Sequence, residues 1–165
     1  IIMMSGFSYK LSYQTMLMAF LGYSVLTGIT MSAIFIVFDL YSIVRVFFIA
    51  SGMFLLMAGY GASTKHDLSA YGTFGISALF GVILLSFVNV FIRSASFDYM
   101  LSFIAVIAIS ALIAFDMQRL KAQLSEMAYD YQQQRKLSIY GALTMYINFI
   151  ALFVRLLHIL GRRRD

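Results

Sequence analysis

One acidic side chain lies inside an otherwise apolar run of the sequence. Asp116 follows the residues IAISALIAF and precedes the polar end of that run. An ionisable group within an apolar segment is costly in a membrane and often serves as a proton or cation site. The residues alone leave two alternatives open. Asp116 is such an intramembrane site, or it lies close to a helix end and pairs with Arg119, three residues later.

The last apolar segment, 138–160, carries its polar side chains along one side of a helix. At 100° per residue they fall within an arc of about 80°. Lipid contact along this arc would be costly, so we expect the arc to face the bundle interior or a wet cavity. It either lines a pathway or forms hydrogen bonds between helices, with its last two residues reaching the interface. The residues are Tyr140, Thr144, Asn148, Arg155 and His158.

Other kinds of site are not indicated by the residue types present. The sequence has no cysteine and two histidines, His66 and His158, so thiolate chemistry is excluded and an all-protein zinc site is not expected. Segment 64–67 instead has the composition of a helix cap, with Thr64 or Ser69 as the capping residue. We expect no enzymatic activity and no cofactor. Nucleic acid is not an expected partner either, because the basic residues flank apolar blocks, where lipid headgroups lie.

The composition predicts an all-α polytopic membrane protein. The 165 residues are 62% hydrophobic and 12% charged, which is more apolar surface than a soluble domain of this size can bury. We treat 1–165 as a single transmembrane domain. In segment 116–137, apolar residues recur every three or four positions, so the fourth helix is expected to continue beyond the membrane. Five blocks can cross a core of roughly 30 Å as helices: 14–38, 43–62, 70–92, 99–118 and 138–160.

Small residues at four-residue spacing predict where these helices pack. Ser24, Gly28 and Ser32 form one row, and Ser77 with Gly81 forms a shorter one. Such rows allow close approach of helix backbones in lipid.

The basic residues do not orient the predicted helices. If all five blocks cross the membrane, six Lys and Arg residues lie on each side, which is a tie under the positive-inside rule. If the last block enters and returns on one side, the division becomes ten to two. Charge therefore favours a re-entrant last helix, whereas its length of 23 residues favours a crossing. We predict a crossing helix.

Two segments resemble the signatures of a known family. Residues 138–161, SIYGALTMYINFIALFVRLLHILG, are closely similar to the C-terminal signature of the Bax-inhibitor motif family of multi-pass membrane proteins. Residues 114–121, AFDMQRLK, resemble that family's Tyr/Phe-Asp-x-Gln-Arg/Lys segment. The likeness covers nearly the whole chain, and residues 45–49 and 116–137 look most like the bacterial inner-membrane branch.

The resemblance implies a fold of about seven helices, of which this chain holds the last five, with the final helix at the centre. It also implies a pH-sensitive calcium leak pathway, gated by two aspartates that share a proton. Asp116 matches the first aspartate, but Asn148 occupies the position of the second, and Ala151 replaces a common asparagine. Because an amide does not ionise, we expect Asp116 to be the cation or proton site with Asn148 as its partner, and pH gating to be weakened.

The resemblance also implies an alternative role. Some bacterial members bind and modulate an AAA-type membrane protease, and a non-conducting partner of that kind would use the amphipathic segment 116–137 as its contact surface. Both roles place the protein in the bacterial inner membrane, with the lipid bilayer as its first partner. In the first role calcium is the permeant ion, and in the second the protease is a further partner.

Overall fold

The chain folds into a bundle of long helices. The structure, a computed structural model, describes residues 12–127 and 130–162, and its regular elements are all helices. The described residues contain five stretches long and apolar enough to cross a membrane, the first formed by α1 and α2 together. This confirms the predicted all-α, five-span architecture. The helices are α1 (Tyr13–Met31), α2 (Ile34–Val37), α3 (Leu40–Ser63), α4 (Ser69–Ile92), α5 (Ala95–Glu126) and α6 (Tyr131–Leu160).

Helices α5 and α6 are longer than the apolar blocks that predicted them. α5 runs eight residues past the predicted end at 118, and α6 begins seven residues before the predicted start at 138. At 1.5 Å per residue they measure about 48 and 45 Å, so both project beyond a hydrocarbon core of roughly 30 Å. The predicted continuation of the fourth helix is confirmed, although the amphipathic pattern is shared between α5 and α6. The unbroken α6 is long enough to cross the membrane, as predicted.

The core lies where α3, α5 and α6 meet. α5 packs against α3, α4 and α6, while α6 packs against α1, α3 and α5. The central position expected for the last helix is therefore shared with α5, which is the most buried helix in the described part of the chain. α1 and α4 lie at the periphery and expose large apolar side chains, as lipid-facing helices do.

Glycines bring α3 and α4 close to α5, but they are not the glycines expected to do so. The space in front of Gly28 and Gly81 is open, so neither of these glycines brings two helices close together among the described residues. A Cβ atom at Gly61, Gly72 or Gly75 would instead collide with α5. Spacing of small residues identifies helix faces that can pack, but it does not distinguish a face toward a partner from a face toward lipid.

Candidate functional site

Asp116 of α5 and Asn148 of α6 meet between the last two helices. The Nδ2 atom of Asn148 donates a hydrogen bond to Oδ2 of Asp116 over 2.8 Å. Asn148 is buried and Asp116 is half-buried. Asp116 lies ten residues before the end of α5, and Asn148 lies 17 residues after the start of α6. The two residues therefore meet although they lie about 15 and 26 Å from the adjoining ends of their helices. The structure thus brings together the two residues singled out by the family resemblance.

The carboxylate of Asp116 is only partly satisfied by this contact. An ionised carboxylate has two acceptor oxygens, and within the described residues Asn148 is the one hydrogen-bond partner of the group. Arg119, the alternative partner proposed from spacing, forms no ion pair with Asp116 in the described part of the chain. Arg119 lies on the wall of the same recess as Asp116 without a direct ion pair among the described residues, and the carboxylate keeps capacity for another ligand.

A small recess opens beside the Asp116–Asn148 pair. Its volume is about 20 Å³, which is room for about one water molecule. Tyr140 and Thr144, two members of the predicted polar arc, lie on its wall together with Asp116. The carboxylate therefore connects the buried amide of Asn148 with a water-sized space. The lining residues are Asp116, Arg119, Leu120, Gln123, Tyr140, Gly141, Thr144 and Met145.

The polar arc of α6 does not form one continuous lining. Its first members lie at the recess, whereas Nε2 of His158 lies 2.7 Å from Oδ2 of Asp98, in the first turn of α5. Arg155 is half-buried and forms no ion pair among the described residues. The arc thus supplies two separate polar contacts with α5, one toward each end of the helix pair.

An apolar plug separates these two contacts. Asp98 and Asp116 are 18 residues apart, which is five helical turns, so they lie on the same side of α5 about 27 Å apart. The side chains between them on that side are 0 to 3% exposed. Three of them share the core with Leu152 and Leu156 of α6. The intervening α5 residues are Ser102, Ala105, Ile109 and Ile113.

Two further side chains of α5 hold the connection between α3 and α4. The Oε1 atom of Gln118 accepts from the Leu68 amide over 3.0 Å, and its Nε2 atom donates to the His66 carbonyl over 2.7 Å. Lys121 donates to the Ala62 carbonyl over 2.6 Å. We did not predict these contacts. Gln118 belongs to the segment that resembles the family's Asp-x-Gln motif, so the sequence did contain a signal for it.

Asp67, rather than Thr64 or Ser69, supplies the side-chain oxygen at the start of α4. Its Oδ1 atom accepts hydrogen bonds from the Ser69 hydroxyl over 2.6 Å and from the Ser69 amide over 2.9 Å. These bonds to the charged form lower the pKa of Asp67, the hydroxyl contributing most. Asp67 therefore stays ionised. It stabilises the same connection between α3 and α4 that Gln118 contacts through its two hydrogen bonds.

Known proteins match this chain over nearly its whole length. A family model described as "Inhibitor of apoptosis-promoting Bax1" matches residues 1–165. The inner membrane protein YbhL of Escherichia coli K12 is 42% identical over 165 residues, covering 99% of this chain and 70% of that protein. An uncharacterized protein of Borreliella burgdorferi is 37% identical over 161 residues (98% and 69%). Protein RP147 of Rickettsia prowazekii is 38% identical over 156 residues (94% and 66%).

Proposed function

The chain belongs to the Bax inhibitor family and is a multi-pass protein of the bacterial inner membrane, and on this premise we propose that it is a cation leak channel that conducts calcium. The observation that carries the proposal is the Asp116–Asn148 hydrogen bond between α5 and α6. Calcium prefers oxygen ligands, and this pair offers a carboxylate and an amide oxygen. The proposed role involves neither a catalysed reaction nor a bound cofactor.

The composition of the site supports a transient contact with calcium. Calcium takes about six to eight oxygen ligands when it is held tightly. Within the described residues no three or more acidic, histidine or cysteine side chains are grouped for metal binding. Asp116 beside a water-sized recess therefore supplies one strong ligand and leaves the others to water. Conduction requires such a balance, because an ion bound too tightly does not leave.

In this proposal the structure represents the closed state of the channel, in which α5 and α6 are packed against each other. The apolar plug between Asp116 and Asp98 contains Ile109 and Ile113, which are 3% and 0% exposed. Hydrophobic constrictions block ions by excluding water. Opening therefore requires α5 to move relative to α6, and the hydrogen bond between Asp116 and Asn148 is one of the contacts that must change.

Asn148 also affects how strongly the proposed channel responds to pH. Two neighbouring carboxylates titrate as a coupled pair because their charges repel. Asn148 carries no charge, so Asp116 lacks a like-charge partner and receives a hydrogen bond instead. The channel proposed here is accordingly less sensitive to pH than one with two aspartates.

Calcium flux in proteoliposomes tests the proposal. We expect the Asp116→Ala variant to lower the rate of calcium entry to that of protein-free liposomes, because the cation loses its charged ligand. The matched control is Glu126→Ala, which removes an exposed carboxylate at the end of the same helix and should conduct like the wild type. Wild-type protein that gives no flux above empty liposomes, or an Asp116→Ala variant with wild-type flux, would contradict the proposal.

The projecting ends of α5 and α6 favour the second candidate function, regulation of a membrane protease. Residues 119–126 and 130–137 extend past the apolar part of the bundle, and most of their charged side chains are exposed. Such a helical hairpin gives a partner a rigid surface to bind. Absence of calcium flux, together with co-purification of an AAA-type protease with wild-type protein in mild detergent, would favour this role over conduction.

A further inference from the structure

We propose that Arg119 determines which cations bind in the recess beside Asp116, because it repels each ion in proportion to the charge of that ion. The inference rests on the proposed function, since it concerns calcium at the same carboxylate, but it can be tested by ion binding without any flux. Arg119 follows Asp116 by three residues in α5, and both lie on the wall of the recess. Residues three apart on a helix have Cβ atoms about 5–6 Å apart.

The wall of the recess carries two opposite charges. Among its lining residues, Asp116 has the one acidic side chain and Arg119 the one basic side chain. A guanidinium is always charged in proteins, so the wall has no net charge when Asp116 is ionised. A cation that enters the recess is therefore attracted by one group and repelled by the other. The remaining lining residues are uncharged: Leu120, Gln123, Tyr140, Gly141, Thr144 and Met145.

The charge of Arg119 is not neutralised by another side chain in the described part of the chain. Arg119 is exposed and forms no ion pair among those residues. One turn further along α5 the sequence has Gln123 rather than a carboxylate, and the next acidic residue of the helix is Glu126. Glu126 is seven residues from Arg119, which is about 10 Å along the helix. An ion in the recess therefore experiences the full repulsion of Arg119.

This repulsion differs between ions of different charge. The Coulomb energy between two groups is proportional to the product of their charges. Arg119 therefore opposes a divalent ion twice as strongly, and a trivalent ion three times as strongly, as a monovalent ion at the same position. The effect lowers the preference of the recess for calcium over potassium. It also speeds the release of calcium, which conduction requires.

Terbium binding to the protein in detergent tests the role of Arg119. Trivalent terbium binds oxygen ligands, as calcium does, and its luminescence is excited by a nearby tyrosine ring, here Tyr140 on the wall of the recess. The signal that is lost in Asp116→Asn belongs to the recess. Titration of this signal gives the Kd of terbium, and displacement by calcium gives the Kd of calcium. We expect Arg119→Gln to lower the Kd of calcium about tenfold and that of terbium about thirtyfold.

Two variants separate the charge of Arg119 from its shape and from its general location. Arg119→Lys keeps the positive charge and should keep both wild-type Kd values. Lys65→Gln removes an exposed positive charge from the connection between α3 and α4, outside the recess, and should change both values less than about twofold.

Three results would overturn the proposal: unchanged Kd values in Arg119→Gln, an Arg119→Lys variant that binds like Arg119→Gln, or a terbium signal that persists in Asp116→Asn. Calcium flux in the wild type with unchanged Kd values in Arg119→Gln refutes the role of Arg119 alone. Tighter binding in Arg119→Gln without flux in the wild type refutes the channel alone.

Discussion

Replacing Asn148 by aspartate is expected to make calcium flux depend on pH, with a rise of about tenfold from pH 6 to pH 8. In the wild type, the Asn148 amide donates to Asp116 over 2.8 Å. Two carboxylates at that distance cannot both be ionised and must share a proton. When the shared proton is lost as the pH rises, the two charges repel, separate α5 from α6 and attract a divalent cation. The wild-type rate should change far less over the same range.

The measurement is the initial rate of calcium entry into proteoliposomes at a series of pH values. Asn89→Asp is the matched control, because it makes the same chemical change in α4, where the side-chain oxygen accepts from the Ser94 amide and can still do so. That control should keep the wild-type profile. If Asn148→Asp and the wild type gave the same pH profile, the asparagine would not explain weakened gating.

Replacing Gly61 by alanine is expected to destabilise the protein strongly. A Cβ atom at this position would collide with the main-chain carbonyl of Ala114, and neither backbone can move without shifting a whole helix. Overpacking of this kind typically costs about 1–3 kcal/mol, so we expect the apparent Tm in detergent to fall by about 5–10 °C. Because Ala114 is two residues from Asp116, calcium flux should fall as well.

Gly59→Ala provides the control for this prediction. Gly59 is in the same helix and has no atom within 4 Å of the position its Cβ would take. Alanine is more favourable than glycine in a helix interior by about 0.5–1 kcal/mol. The control should therefore keep or raise the Tm, as circular dichroism during heating would show. Equal Tm values for the two variants would refute the close approach of α3 to α5.

The apolar blocks predicted the spanning helices well but not their ends. Hydropathy reports which residues can lie in lipid, so it identified the five spans and their order. It carries no information on where a helix ends once the chain has left the membrane. The first turns of α6, from Tyr131 to Lys136, are polar, and the Asp130 side chain caps them through the Gln133 amide. The capping residue was therefore a better indicator of the start of α6 than hydrophobicity was.

The candidate site could be predicted only in part from the residues. The run around Asp116 indicated an intramembrane carboxylate, but spacing alone gave Arg119 as its partner, and the structure gives Asn148. The family resemblance supplied that pairing, because contacts between distant segments depend on how helices cross. The contact of Asp98 with His158 could not be predicted from sequence for the same reason. The polar arc correctly indicated which residues of α6 face the other helices. It gave no indication that an apolar plug separates its two contacts with α5.

The central claim is that calcium crosses the membrane by binding transiently to the carboxylate of Asp116, which accepts a hydrogen bond from the Asn148 amide between the last two helices. Calcium flux through a swapped pair tests it most directly. Asp116→Asn alone should reduce flux to the level of empty liposomes, because both partners are then amides. Asp116→Asn combined with Asn148→Asp restores one carboxylate and one amide at the same place and should restore most of the flux. Wild-type flux in the single variant, or no recovery in the swapped pair, would contradict the claim.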